Sequence, residues 1–164
     1  MAAWTIRPAD EDDLAALAAI YDQETLDGYA TFDTEPQGVA PFRARLEGAD
    51  HLLVGCDGDQ VLGYAYSAPF RTRGAYAATR ETTVYLHPSA QGRGLGRALY
   101  DDLLTRLAHD RMHRAIAGIA LPNPASIALH RACGFTEIGV FTEVGRKFDR
   151  WIDVAFYERS FIDT

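Results

Sequence analysis

The hydrophobic positions along the chain follow two periods, and these predict both strands and helices. One apolar stripe recurs every fourth residue, as on a helix, at Leu95, Leu99, Leu103 and Leu107. Residues 83–86 just before it are β-branched, aromatic or apolar, as strands prefer, and Pro88 ends that run because proline cannot donate to a β-ladder. The stretch "TVYLHPSAQGRGLGRALYDDLL" therefore predicts a strand, a glycine-rich turn and a helix.

The rest of the chain carries further strand and helix patterns. A first helix is expected after Asp10, which can cap it together with Asp13, and a short second helix near residues 41–46. A late helix, "NPASIALHRACGF", is closed by Gly134. The other runs predict strands: "WTIR", "HLLVGC" and "VLGYAYSAPF" joined by the turn "DGDQ", "RAIAGIA", "TEIGVFTEVG" and "RWIDVAFYERSF". Strands that first form a meander and then alternate with helices indicate a mixed α/β sheet, partly antiparallel.

Length and composition narrow the class of protein. A chain of 164 residues is expected to form one domain, residues 1–164, with a real core. The net charge of −7 argues against general nucleic-acid binding, and no apolar run approaches the roughly 20 residues of a membrane helix. No signal peptide is visible, so Cys56 and Cys133 are expected to be reduced and buried in a cytoplasmic protein. No metal site is predicted.

The glycine-rich turn is the first candidate for chemistry. Gly92, Gly94 and Gly96 lie at a helix N-terminus, where unpartnered N–H groups and the helix dipole favour a phosphate. The sequence lacks the Lys-Ser/Thr pair of a Walker loop, and its glycine spacing differs from G-x-G-x-x-G. The pattern Q/R-x-x-G-x-G/A of an acyltransferase pyrophosphate loop fits residues 91–96 in every fixed position. A glycine-rich turn without a ligand is the alternative.

These motifs resemble those of the GNAT acetyltransferase superfamily, and within it the phosphinothricin and methionine-sulfoximine N-acetyltransferases. The match covers nearly the whole chain and includes "ATFDTEP", "FRTRGAY", "GIALPNPASIALHRACGF" and "EVGRKFDRWIDVAFYER". The resemblance implies the GNAT fold, with a mixed, mostly antiparallel sheet splayed between two central strands and flanked by helices. It also implies acetyl-CoA as the co-substrate, a small amino-acid analogue as the acceptor, and a homodimer.

The same resemblance implies a set of cofactor-binding residues. The strand before the loop is expected to bind the pantetheine arm through its backbone, and the loop and helix start to bind the pyrophosphate. Asn123 matches a cofactor-contacting asparagine, although it can equally cap the helix that follows. The full set is Val84, Tyr85, Leu86, Gly92, Arg93, Gly94, Leu95, Gly96, Arg97 and Asn123.

Two residues are candidates for proton transfer. Glu81 aligns with the family's catalytic glutamate, and a carboxylate there could take the proton of the acceptor amine. The alternative is a solvated strand-end acid paired with Arg80. His130 stands where many superfamily members carry a tyrosine general acid, and it could protonate the leaving thiolate or relay protons. The alternative is a core histidine on a helix. Backbone N–H groups near Val84 are expected to meet the developing oxyanion.

The acceptor side has its own pattern. Residues 71–80 carry Arg71, Arg73 and Arg80 and no carboxylate, which suits an acceptor with anionic oxygens. Tyr76 and Phe32 are expected to wall this pocket, and Glu81 also borders it. A solvated loop with ordinary surface arginines is the bland alternative.

Two questions stay open at the level of sequence. Lys147, Phe148 and Trp151 are expected in a late loop that completes either the pocket or a dimer interface. Other functional classes are an acetyltransferase of protein N-termini or polyamines, and a non-catalytic acyl-CoA-binding module. The arginines oppose a polyamine acceptor, and an intact Glu81 and His130 oppose the non-catalytic module.

Overall fold

The structure, a computed structural model, describes residues 4–162. Over these residues the chain forms seven strands and four α-helices. The strands are β1 (Thr5–Pro8), β2 (Leu52–Asp57), β3 (Gln60–Pro69), β4 (Thr79–Leu86), β5 (Arg114–Ala120), β6 (Thr136–Lys147) and β7 (Arg150–Ser160). The helices are α1 (Leu14–Asp27), α2 (Ala40–Glu47), α3 (Leu95–His109) and α4 (Pro124–Ala132). Each element lies where the hydrophobic pattern predicts it.

Hydrogen bonds and backbone conformation account for the predicted start of α1 and the predicted end of α4. The Asp10 carboxylate accepts the N–H of Asp12 at 3.0 Å, and the Asp13 carboxylate accepts the N–H of Asp10 at 2.9 Å. This exchange forms a short 3-10 turn that leads into α1. After α4, Gly134 adopts a φ of 83°, a left-handed conformation that glycine takes at little cost.

The seven strands form one sheet in the order β1-β2-β3-β4-β5-β7-β6. All neighbouring pairs are antiparallel except β4 and β5, which are parallel. That parallel ladder covers only Thr79, Arg80 and Glu81 of β4, while β4 stays paired with β3 as far as Leu86. The two central strands therefore diverge after Glu81, which confirms the predicted mixed, mostly antiparallel and splayed sheet.

The two faces of the sheet carry separate cores. On one face α3 buries its leucine stripe against β2–β5 and β7, together with Val84 and Leu86 of β4. On the other face α1 and α2 pack against β2 and β3, together with Tyr85 of β4. Since side chains alternate along a strand, Glu81, Thr83 and Tyr85 face α1 and α2, whereas Thr82, Val84 and Leu86 face α3.

The late strands correct one expectation. Lys147 ends β6 and Trp151 lies in β7, so they do not sit in a loop. Only Phe148 and Asp149 turn between these strands, with φ of 51° and 55°. Such a two-residue turn matches the twist of the strands it joins, which lets both ladders continue to the turn. None of the helices in the described residues is long and apolar enough to cross a membrane.

Candidate active site

The gap between β4 and β5 is the central feature of the candidate site. Beyond Glu81, the β5-facing edge of β4 has no ladder partner among residues 4–162. Backbone N–H and C=O groups on such an edge need partners, so they can bond an extended chain that carries amides. The five steps from Glu81 to Leu86 give this edge a length of roughly 17 Å.

The glycine-rich turn follows at the end of that edge and opens α3. Gly92 and Gly94 have φ of 70° and 87°, and in the described chain no atom beyond their neighbours lies within 4 Å of where a Cβ would stand. Gly94 is the N-cap of α3 and provides no side-chain cap, so the first N–H groups of the helix lack an intrahelical acceptor. Gly96 differs, because a Cβ there would lie 3.1 Å from Leu129 of α4. Two glycines thus expose the backbone, and the third lets two helices pack closely.

The two arginines of the turn already have protein partners. The Arg93 guanidinium donates to the carbonyl of Ser89 at 3.2 Å and lies 4.9 Å from the ring centre of Trp4. The Arg97 guanidinium donates to Asp101 at 2.7 Å and to the carbonyl of Ala132 at 2.6 Å. The turn therefore offers an anion mainly its backbone N–H groups, and contacts of a phosphate with the turn or with the arginine side chains stay a prediction.

Asn123 lies between the end of β5 and the start of α4. Its side-chain oxygen accepts the N–H of Ser126 at 3.1 Å, so the capping role is confirmed. This bond uses only the amide oxygen, and the amide NH₂ has no hydrogen-bond partner among residues 4–162, so its contact with the cofactor stays a prediction.

Glu81 lies at the point where β4 and β5 part. It pairs with Ala68 of β3 and Ile116 of β5, and its side chain is half-buried. Among residues 4–162 no hydrogen bond or ion pair engages its carboxylate. The alternative of a pair with Arg80 is wrong, because Arg80 binds Asp50 at 2.8 Å instead. Adjacent residues of a strand point to opposite faces, which separates these two side chains.

His130 lies in the core on the opposite face of the sheet from Glu81. It is 3% exposed, and its Nδ1 donates to the carbonyl of Ser126 at 2.8 Å. Its Nε2 lies 3.0 Å from the hydroxyl of Tyr100, which in turn lies 3.5 Å from the Thr82 hydroxyl. Burial lowers the pKa of His130, so the imidazole is neutral with Nδ1–H and an acceptor Nε2. These are the contacts of a core histidine, and the structure does not bring His130 to Glu81.

The predicted acceptor residues lie in two separate segments. Arg71, Arg73 and Tyr76 are exposed in the loop between β3 and β4, which leads directly to Glu81. Arg71 stacks on Phe70 at 4.2 Å, and within residues 4–162 neither Arg71 nor Arg73 has a carboxylate partner. Phe32 follows α1 and is 41% exposed. The prediction that Arg80 belongs to the arginine cluster is wrong, because its guanidinium pairs with Asp50.

Sequence reasoning missed the residues that hold the segment around Phe32. The Tyr85 hydroxyl donates to the carbonyl of Ala30 at 3.3 Å, and the Tyr29 hydroxyl donates to the carbonyl of Pro122. Residues 29–33 therefore bridge β4 and the end of β5 on the face that carries Glu81. Tyr29 and Pro122 are 93 positions apart, so no local pattern could have indicated this contact.

Metal ligands and reactive thiols are two further possible sources of chemistry in the described residues. Within residues 4–162 no group of three or more histidine, cysteine, aspartate or glutamate side chains is arranged to hold a metal ion. Cys56 and Cys133 are free thiols, and burial raises the pKa of both, so neither has the character of an activated nucleophile. The carboxylate of Glu81, which has no partner among residues 4–162, stays the candidate for proton transfer.

Comparison with known proteins identifies the family. The profile of the Acetyltransferase (GNAT) family matches residues 11–135. The chain is 46% identical over 161 residues to a phosphinothricin N-acetyltransferase of Streptomyces coelicolor, covering 94% of each chain. It is 38% identical over 159 residues to an L-methionine sulfoximine/L-methionine sulfone acetyltransferase of Salmonella typhimurium, covering 94% of this chain and 92% of that one.

A solved structure agrees with this. A GNAT superfamily phosphinothricin acetyltransferase from Sinorhizobium meliloti in complex with acetyl-CoA matches with a TM-score of 0.92 and 36% identity, over 98% of this chain and 89% of that one. The splayed sheet and the glycine turn thus define an acetyltransferase, and the chain belongs to the GNAT family. It is an N-acetyltransferase with acetyl-CoA as co-substrate, as the sequence resemblance predicted.

Proposed function

We propose that the protein transfers the acetyl group of acetyl-CoA to the α-amine of a small amino-acid analogue of the phosphinothricin, methionine sulfoximine or methionine sulfone type. The observation that carries this proposal is the unpaired Glu81 carboxylate where β4 leaves β5. It stands between an arginine-bearing loop on one side and an unpaired strand edge that leads to the glycine turn on the other. The relatives named above act on acceptors of this type.

The cofactor side is assigned from the backbone. The edge of β4 at Val84, Tyr85 and Leu86 is suited to the amides of the pantetheine arm, because its groups lack a partner strand. The N–H groups of residues 92–97 are suited to the pyrophosphate, because the positive end of α3 lies there and Gly92 and Gly94 leave the approach open. Asn123 completes this side with its free amide NH₂.

The proton chemistry is assigned to Glu81. An α-ammonium must lose a proton before its lone pair can attack the thioester carbonyl, and the Glu81 carboxylate can take that proton directly or through water. The new C–N bond forms as the carbonyl π pair moves to oxygen, and N–H groups of β4 near Val84 can stabilise that oxyanion. When the pair returns, the C–S bond breaks and CoA leaves as a thiolate. The nitrogen, which now carries one proton more than the amide product, releases that proton to solvent, and the thiolate takes up a proton from solvent.

A direct role for His130 in protonating that thiolate stays a prediction. Its contacts with Ser126 and Tyr100 favour the other interpretation that the sequence left open, a histidine that supports α3 and α4 from within the core. We therefore assign no step of the reaction to it.

The acceptor side is assigned to the loop before β4 and to the segment around Phe32. Arg71 and Arg73 can bind phosphinate, sulfone or carboxylate oxygens bidentately, since no carboxylate of the described chain neutralises them. The aromatic rings of Tyr76 and Phe32 can pack against the aliphatic part of such an acceptor. A polyamine would instead require carboxylates in these positions.

The assembly and the compartment are inferred from the surface. Exposed apolar side chains gather on β6 and the adjoining turn and strand: Ile138, Val140, Phe141, Val144, Phe148 and Trp151. Apolar patches of this kind mark protein interfaces, which supports a homodimer formed through this surface. The free cysteines suit a reducing cytoplasm, and the net charge of −7 gives no support to nucleic-acid or membrane partners.

The test follows release of free thiol from acetyl-CoA with methionine sulfone, methionine sulfoximine, phosphinothricin, a polyamine and a peptide amine. We expect turnover with the first three and little with the last two. Arg43, an exposed arginine of α2 that pairs with Glu11 of the 3-10 turn before α1, supplies a matched control. Arg73→Ala should raise the acceptor KM about ten- to a hundredfold, because a charged hydrogen bond is lost, whereas Arg43→Ala should not. Preference for the peptide amine or polyamine would overturn the assignment.

A further inference from the structure

We infer that Lys147 and Gly145 of β6 hold residues 29–33 over the gap between β4 and β5, and that Lys147 is a positioning residue for the acceptor. This inference rests on the proposed function. Lys147 is 5% exposed, and its ammonium donates to the carbonyl of Thr31 at 3.0 Å. Phe148 and Trp151 are 55% and 59% exposed, and the Phe148 ring centre lies 5.2 Å from the Lys147 ammonium. We therefore place Lys147 with the acceptor side of the site, whereas the exposed Phe148 and Trp151 are available to the proposed dimer interface.

Gly145 fixes the same segment through shape. A Cβ at this position would overlap the ring of Phe32, so the ring lies directly on the backbone of β6. Gly145 has no positive φ, so its absent side chain, and not its backbone conformation, is what this contact requires. Phe32 is one of the residues that we assign to the acceptor, and its position depends on this close approach.

The charge on Lys147 is supported by its surroundings. Burial lowers the pKa of Lys147, while the carboxylates of Glu24 and Asp33 favour its charged form. Both of these acids are themselves tied to the segment. Glu24 accepts the N–H of Ala30 at 2.9 Å, and the Tyr21 hydroxyl donates to Asp33. Burying an ammonium group costs free energy unless the group is hydrogen-bonded, and the hydrogen bond of Lys147 goes to the backbone of residues 29–33.

The place of this segment explains why its position matters for the reaction. Through Tyr29 and Tyr85 it reaches both Pro122 beyond β5 and the strand β4, on the face that Glu81 shares. It therefore borders the side of the gap from which an amine must approach Glu81. The glycine turn of α3 makes no part of these contacts, so binding of the cofactor pyrophosphate should depend on them less than binding of the acceptor does.

The first experiment compares Lys147→Met with Arg146→Met. Arg146 precedes Lys147, but its guanidinium is exposed, pairs with the exposed Asp149 and lies 5.6 Å from the ring centre of the exposed Trp151. Lys147→Met should lower kcat/KM for the acceptor about ten- to a hundredfold, chiefly through KM, because misplacing a binding segment weakens the productive geometry. The KM of acetyl-CoA should change much less than that of the acceptor, and Arg146→Met should match the wild type for both substrates.

A second pair of variants keeps the inference testable if Lys147→Met does not fold. Gly145→Ala retains Lys147 and should raise the acceptor KM by displacing Phe32. Adding Phe32→Ala removes the overlap, so thermal stability lost in Gly145→Ala should return in the double variant, while the acceptor KM stays raised. An acceptor KM unchanged in Lys147→Met or in Gly145→Ala would overturn the inference, as would equal rises in the KM of both substrates. If the wild type acetylates none of the small analogues, the proposed function fails instead.

Discussion

At the scale of single residues, Glu81 and His130 show how surroundings separate two candidates that the sequence placed together. Glu81 is half-buried, and its carboxylate has no hydrogen-bond or ion-pair partner in residues 4–162. His130 is buried, and both of its ring nitrogens are engaged. A group that exchanges protons with a substrate must be accessible, and the half-buried Glu81 meets this condition better than His130, which is 3% exposed.

His130→Gln tests the structural interpretation through stability and pH. Because burial lowers the pKa of His130, the unfolded chain takes up a proton before the folded protein does. The stability due to the neutral histidine is therefore present above about pH 6.5 and is lost as the pH falls below that value. Urea unfolding should show a loss of about 1–3 kcal/mol at pH 8 in the variant, and a smaller decline than the wild type towards pH 5.5.

The kinetics of His130→Gln give the opposing outcome. A core residue should leave kcat within about tenfold of the wild type, whereas a general acid should cost about 10²–10⁴-fold. A large fall in kcat with unchanged stability would show that His130 takes part in proton transfer after all.

At the scale of elements, β4 organises the whole site. The arginine loop precedes it, Glu81 lies at its divergence from β5, and the glycine turn follows its last residue. In the proposed function, one strand thus places the acceptor loop, the base and the cofactor turn in that order along the chain. This order follows from the three-residue parallel ladder, because a longer ladder would close the edge of β4.

The glycine turn is tested by Gly94→Asp, with Gly58→Asp as its matched control. Both glycines have positive φ, 87° and 58°, and space for a Cβ, but Gly58 lies in the β2–β3 turn. The strain of a left-handed side chain, roughly 1–2 kcal/mol, is therefore common to both variants. Only Gly94→Asp brings a carboxylate to the helix start, so calorimetry should show acetyl-CoA binding weakened about tenfold or more there. If both variants bound acetyl-CoA with the same affinity, the turn would not be part of the cofactor site.

At the scale of the whole molecule, the exposed apolar surface of β6 predicts association of two copies. Phe141 is 59% exposed on β6, and Leu26 at the end of α1 is 58% exposed. Phe141→Asp should shift sedimentation velocity from a dimer towards a monomer, because a charge would be buried in the interface. Leu26→Asp should leave the dimer intact. A monomeric wild type, or a dimer unaffected by Phe141→Asp, would contradict the proposal.

The fold was predictable from the sequence to the extent that local patterns specify it. Periodicity located the strands and helices, and Asp10, Pro88 and Gly134 marked ends that depend on local backbone chemistry. The insertion of β7 between β5 and β6 was not predictable, because strand order depends on contacts distant in sequence. The divergence of β4 from β5 was predicted from the resemblance to the GNAT family and not from any residue pattern.

The site was predictable in part for the same reason. The glycine turn is a contiguous motif, so the sequence alone indicated its location at a helix start. The contacts of Lys147 with Thr31 and of Phe32 with Gly145 join residues more than 100 positions apart, so no spacing rule indicates them. Arg80 failed as a member of the arginine cluster because its partner, Asp50, comes from a different part of the chain.

The central claim is that Glu81 is the general base, and Glu81→Gln tests it most directly. The change keeps the shape of the side chain and removes its proton acceptor. The control is Glu158→Gln, a partly exposed glutamate of β7 that lies 3.9 Å from Arg114. With methionine sulfone as acceptor, Glu81→Gln should lower kcat about 10²–10⁴-fold and leave the affinity for acetyl-CoA unchanged. The kcat of the variant should rise again at high pH, because the acceptor amine then loses its proton to the solvent without help from a base. A Glu81→Gln enzyme with the kcat and pH profile of the wild type would contradict the account.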